Sequence, residues 1–178
     1  MTSIKGKWAI DPMHSEIQFK VKHLVISTVT GSFTSFEGTL DTDDENFEGS
    51  SITFSAETSS VSTNNADRDG HLKSGDFFDA EKYPKLSFAS TSFTKIGDDE
   101  YELKGNLTIK DVTKEVTLKV EHGGVMVDPY GNTKAGFEIN GKINRKDFGL
   151  SWSAVTEAGG VVVGDDVKLQ LNVQVAKQ

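Results

Sequence analysis

The sequence predicts an all-β fold, an antiparallel sandwich or barrel, and three observations carry that expectation. Apolar residues recur with period two in many short runs, clusters of Gly, Asp and Asn separate those runs, and one stretch alone carries helix-capping chemistry. Strict alternation places one face of each strand in a core and the other in water.

The elements follow in order along the chain. In "SEIQFKVKH", Ile17, Phe19, Val21 and His23 share one face, with Glu16, Gln18, Lys20 and Lys22 opposite. Between Gly31 and Gly38 the rhythm slips, because Phe33 and Phe36 are three residues apart. A bulge or bend there brings both rings to one face, as a strand curving around its own core requires. Ile52–Phe54–Ala56 resumes the alternation. Next comes the one helical stretch, near 64–74, with Asn64 as cap, Asp67 three residues on and Gly75 as the stop. It offers mainly Ala66 and Leu72 as apolar groups, so it belongs on the surface or over an opening.

Further strands are predicted at Leu86–Phe88, Leu103–Gly105–Leu107–Ile109, Val116–Leu118–Val120, Phe137–Ile139–Gly141–Ile143 and Val167–Leu169–Leu171–Val173–Val175. The turns "GDDE" at 97–100, "HGG" at 122–124 and "DPYGN" at 128–132 punctuate them. No tandem repeat and no linker divides the chain, so residues 1–178 are expected to form a single domain.

Composition narrows the function. With 35% hydrophobic and 26% charged residues the chain is globular rather than disordered. A net charge of -8 argues against a nucleic-acid surface and against adhesion to anionic lipid, since both need clustered Lys and Arg. A lipid held inside a pocket is compatible with that charge. There is no cysteine, hence no disulfide, thiolate nucleophile or Cys-based metal site. No apolar run approaches the ~18–20 residues of a membrane-spanning helix. The N-terminal "MTSIKGKWAI" holds no apolar stretch of signal-peptide length, which predicts a cytoplasmic protein; a trimmed mature form would instead be periplasmic or extracellular.

Several motifs fail on chemistry. "DTDDENFEGSSI" from Asp41 has Asn46 and Ile52 where a calcium loop needs Gly and Glu. "GGVVVG" from Gly159 runs into Asp165-Asp166, which repel phosphate. His14, His23, His71 and His122 lack metal-ligand spacing, and no nucleophile elbow exists. Neither a metal, a cofactor nor a catalytic group is therefore expected.

Arginine usage is selective. Of 19 basic residues only Arg68 and Arg145 are arginine, each in an irregular segment with an acid and a Phe nearby. Two readings stand: each pairs with its local acid, Asp69 or Asp147, or both grip a polar head group at the mouth of a cavity.

Taken together, "WAIDPMHSEIQFKVKHL", "GSFTSFEGTL", "RDGHLKSGDFFDAEKYPKLSFAS", "GNLTIKDVTKEVTL" and "INRKDFGLSW" resemble the YceI-like lipid/polyisoprenoid-binding family, in order from Trp8 to about Val175. Asp111 departs from the family pattern, replacing the usual glycine of a turn. The resemblance implies a single antiparallel, lipocalin-like β-barrel of about eight strands, with 64–84 as a lid over an internal tunnel for an isoprenoid-type or other long-chain lipid. It further points to homodimer formation. On this reading Phe19, Val21, Phe33, Phe36, Phe54, Leu72, Phe77, Phe78, Phe88, Phe137, Ile139, Phe148 and Trp152 form the apolar wall. Arg68, Asp69, His71 and Arg145 meet the head group. Non-enzymatic carriage of a polyisoprenoid or isoprenoid quinone is the leading expectation. The alternatives are a filled barrel acting in stress response or protein contact, and an enzyme using His71 with Asp69 or Asp76 as an acid/base pair.

Overall fold

A computed structural model describes residues 4–23, 27–43, 47–75, 77–150 and 163–178. Eleven strand segments form one antiparallel sheet that closes on itself. They are β1 (Gly6–Ile10), β2 (Glu16–His23), β3 (Ser27–Phe33), β4 (Phe36–Thr42), β5 (Ser51–Glu57), β6 (Val61–Ser62), β7 (Lys85–Lys95), β8 (Glu100–Ile109), β9 (Val112–Val127), β10 (Thr133–Asn144) and β11 (Val163–Lys177). β1 continues into β2, β3 into β4 and β5 into β6, so the segments make eight staves. Each stave pairs with its neighbour in sequence. The last, β11, closes the barrel against both halves of the first, through Val167↔Val21 and Ile10↔Val175.

The break in the first stave has a local cause. Pro12 has no N–H to donate, and Pro12–His14 form a turn of 3-10 helix capped by the Asp11 carboxylate, which accepts from Met13 N at 3.0 Å. Lys134 Nζ meets the same carboxylate at 2.8 Å and Asp128 at 3.8 Å, so an ion cluster ties the break to the β9–β10 turn. The expected bend between Phe33 and Phe36 falls at residues 34–35, between β3 and β4.

The single α-helix among the described residues, α1 (Ala66–Lys73), lies where helical chemistry was expected, with its cap moved by one residue. Asn64 stands at φ 62, and Asn65 in extended conformation accepts from Arg68 N at 3.1 Å. A left-handed residue turns the chain out of β6 and leaves the cap to its successor. Gly75 is not the stop. Ser74 occupies the C-cap, and the Leu72 and Lys73 carbonyls accept from Phe78 N and Ala80 N. At the β8–β9 hairpin the left-handed residue is Lys110, at φ 58, so Asp111 sits in backbone that needs no glycine.

Strand directions assign the connections to two ends. One end carries the His23–Ser27 pair between β2 and β3, α1 with its flanking residues, the Lys110–Asp111 turn and the turn Arg145–Phe148. The other carries the 43–50 connection and the β7–β8 and β9–β10 turns. Among the described residues no helix is long and apolar enough to cross a membrane.

Candidate functional site

The barrel encloses a cavity of about 640 Å³, within the range typical of ligand sites. Its wall is built from inward positions of all eight staves: Ile17, Phe19 and Val21 from β2, Phe54 from β5, Leu86 and Phe88 from β7, Leu103 and Leu107 from β8, Leu118 and Val120 from β9, and Phe137 and Ile139 from β10. Phe33 from β3 and Leu169 through Val175 at alternate places of β11 complete it. Alternation put these side chains inward, and closure of the sheet turned their shared face into an interior.

The connection 63–84 lies across the end where β6 stops. Phe77 and Phe78 are buried there and line the cavity with Leu72. Phe78 packs edge-on against Phe33 at 5.7 Å, and Phe77 meets the His71 ring at 5.1 Å. The two phenylalanines that close a polar helix are thus the apolar underside of a cover.

Polar groups gather at this end. Thr63, Asn65, Asp67, Arg68, His71, Lys22 and Arg145 all border the cavity. Buried Thr63 organises them: its N–H and Oγ1 donate to Asp69 Oδ1 at 2.8 and 2.6 Å, while its Oγ1 and carbonyl accept from Arg68 Nε and Nη2 at 2.8 and 3.0 Å. Arg68 and Asp69 are therefore joined through a threonine rather than as a direct clamp. Arg68 Nη1 has no partner among the described residues.

Arg145 is held differently. It is 2% exposed, donates from Nε to the Gly164 carbonyl at 2.8 Å and from Nη1 to Leu150, and lies 3.7 Å from Asp165. Burial pulls its pKa below the usual guanidinium value, with Asp165 acting the other way. Its acid partner is Asp165 across the chain, not the adjacent Asp147 of the clamp reading. These contacts pin the segment after β10 to the start of β11.

Several expected wall residues fall elsewhere. Phe36 shares the face of Gly38 and Leu40 on β4 but does not itself border the cavity; its ring packs against Phe54 at 6.2 Å. Phe148 is 2% exposed but outside the lining, because the 3-10 turn Arg145–Phe148 packs it beside the barrel wall. Asp69 is turned to Thr63 and likewise does not border the cavity. Trp152, and Asp76 of the acid/base pair, lie outside the described residues.

At the far end an aromatic cluster forms the floor. Phe47, from the 43–50 connection, meets Trp8 at 5.6 Å, His122 at 5.0 Å and Phe137 at 5.1 Å. Phe93 stacks on Tyr101 at 4.7 Å. Of these six rings only Phe93 and Phe137 face the cavity; the others stand behind them. Burial raises the Tyr101 pKa and lowers that of His122, whose Nε2 is buried without a partner. Sequence reading missed this floor, since Phe47 sits in an acidic turn with no alternating neighbours. Among the described residues no cluster of side chains is suited to a metal.

Comparison with known proteins decides the family. The YceI-like domain profile matches residues 8–175. The chain belongs to the YceI-like family. A UPF0312 protein of Staphylococcus aureus is 38% identical to this YceI-like chain over 168 residues, covering 94% of it and 95% of the relative. The crystal structure of a Campylobacter jejuni YCEI protein aligns with TM-score 0.73 at 37% identity, covering 88% of this chain and 90% of that one. A polyisoprenoid binding domain from Saccharophagus degradans aligns with TM-score 0.67 at 15% identity over 96% of this chain and 98% of that one, a likeness of fold.

Proposed function

We propose that the protein binds and carries a long-chain apolar lipid of the polyisoprenoid or isoprenoid-quinone class inside the barrel, with no chemistry of its own. The observation that carries this reading is the cavity: a predominantly apolar wall drawn from every stave, with its charged groups, Lys22, Asp67, Arg68, His71 and Arg145, at one end. Burying ~20 carbons at about 0.8 kcal/mol each gives a gross gain of roughly 16 kcal/mol. Ordering the chain and forming the complex offset much of that, which leaves affinity in the micromolar to nanomolar range without a catalytic group. The Saccharophagus degradans domain, described as polyisoprenoid binding, supports the ligand class through its shared fold.

Within this reading Arg68 is the head-group residue. Its Nε and Nη2 are fixed by Thr63, which presents the remaining donor towards the polar end, beside His71 and Lys22. A guanidinium so oriented suits a pyrophosphate or carboxylate. Arg145 supports the wall at the same end, with its donors engaged by Gly164 and Leu150.

Titration with a prenol and a prenyl pyrophosphate of equal length tests the proposal. Binding of both by the native protein, with Arg68→Lys weakening the pyrophosphate more than the alcohol, is the expected result. Equal loss for both removes the head-group role. Failure to bind either, with no lipid in an organic extract of the purified protein, removes the carrier function.

A further inference from the structure

An eight-stranded barrel is poised between two states: its interior is just wide enough for side chains to fill it, or to admit one ligand. Which of the two results depends on how far the inward side chains reach towards the axis. Three large inward side chains here do not stand into the interior. The Phe19 ring lies across Gly31, its direct cross-strand partner, so that a Cβ on Gly31 would collide with Cζ and both Cε atoms. The Phe88 ring lies across Gly105, and a Cβ there would meet the ring at under 3 Å and the Ala89 carbonyl at 2.6 Å. Leu118 lies across Gly141, with its Cδ2 where a Cβ would be. Phe19, Phe88 and Leu118 all line the cavity.

Backbone conformation does not demand glycine at these places. None of the three has a positive φ, unlike Gly6, Gly49, Gly124, Gly131 and Gly149. What requires glycine is the side chain lying over it, joined at Gly105 by the Ala89 carbonyl. The three pairs also sit at separate seams of the barrel, β2–β3, β7–β8 and β9–β10, so their effect is distributed around the circumference.

We propose that Gly31, Gly105 and Gly141 are specificity-determining notches: each holds a bulky neighbour flat against the wall, and together they set the bore of the cavity and hence the thickness and length of chain it takes. The proposal rests on the lipid-carrier reading for the identity of the ligand, but the notch itself is a property of the wall. A methyl group at any one notch turns the neighbour inward and narrows the bore. The bland alternative is that these glycines only ease strand curvature. In that case alanine, which loses less backbone entropy on folding, is neutral or mildly stabilising and leaves the interior as it was.

Gly141→Ala and Gly31→Ala are the variants of choice, because the atoms in conflict belong to movable side chains and not to backbone. The probes are linear prenols of increasing length, titrated into purified protein. Each variant is expected to keep or raise the melting temperature of the ligand-free barrel while weakening the longer prenols by roughly tenfold or more, about 1.4 kcal/mol. Shorter prenols lose less. Leu118→Ala in the Gly141→Ala background removes the displaced side chain and restores binding. Unchanged affinity across the series in a folded variant overturns the notch, as does failure of the double variant to recover. Should native protein bind no prenol, the carrier reading falls, and the notch is then decided by a crystal structure of Gly141→Ala. Leu118 turned into the interior supports it; Leu118 unmoved overturns it.

Discussion

Asp11 shows how one carboxylate serves both a local turn and a long-range tie. Lys134 at 2.8 Å, then His14 at 2.8 Å, hold its pKa down from 3.8 to about 2. A depressed carboxylate pKa contributes stability above the ordinary value, near pH 4, and loses it as pH falls through 2. Nearly two units correspond to at most about 2.5 kcal/mol, and solvent at this partly exposed cluster reduces that to about 1–2 kcal/mol. Asp11→Asn keeps the acceptor for Met13 N and removes the charge. Urea unfolding should show the variant about 1–2 kcal/mol weaker at pH 7, with the gap closing towards pH 2; a gap independent of pH would mean that the charge is not the cause. Lys110 offers the opposite case, a residue in the wrong backbone. At φ 58 it occupies a conformation costly for a side chain with a Cβ, so Lys110→Gly should raise stability by about 0.5–1 kcal/mol in thermal melts. Asp111, the departure from the family pattern, stands beside it in backbone that imposes nothing unusual.

At the scale of elements, the cover of residues 63–84 has two separable supports. Asn65→Ala removes one helix cap and should cost about 1 kcal/mol. Phe78→Ala empties a buried contact with Phe33 and should cost about 3–5 kcal/mol. If the segment covers a lipid, both variants should speed release of a bound fluorescent prenol, Phe78→Ala the more; release at the native rate would place the exit elsewhere. Much of this element was legible. Polar capping chemistry located the helix, and a pair of phenylalanines after it announced an apolar underside. The one-residue shift of the cap was not legible, because "NN" offers two equivalent side chains and only tertiary turning makes Asn64 left-handed. Phe148 was misplaced for a related reason. Period two predicts facing within a strand, and this residue stands in the 3-10 turn where β10 ends.

For the whole molecule, the alternating runs predicted staves and closure but could not distinguish a hollow barrel from a filled one, since the same side chains line either. Glycine at Gly105 and Gly141, inside the inward register of two runs, was the sequence's trace of hollowness. Gly31 carried no such mark, because the alternation slips between there and Gly38. The aromatic floor sets the other dimension of the interior. Phe47→Ala should destabilise the barrel by about 3–5 kcal/mol and deepen the cavity towards Trp8, so that the longest prenol accepted becomes longer. A titration series across chain lengths measures this, and an unchanged limit would place the boundary elsewhere.

The seam between first and last staves has a consequence in time rather than in space. Ala9 faces Ala176, and Gln178 N donates to the Lys7 carbonyl at 2.8 Å, so contacts that finish the sheet join opposite extremes of the chain. Hairpins along the meander can form as soon as adjacent residues meet, whereas this seam must wait for loop closure over nearly the full contour. Until it forms, β11 and the first stave present bare edges to any other strand nearby. Refolding from urea should therefore show early strand signal, followed by a slower phase on the millisecond-to-second scale in which Trp8 reaches its buried environment, and aggregation should compete only before that phase ends.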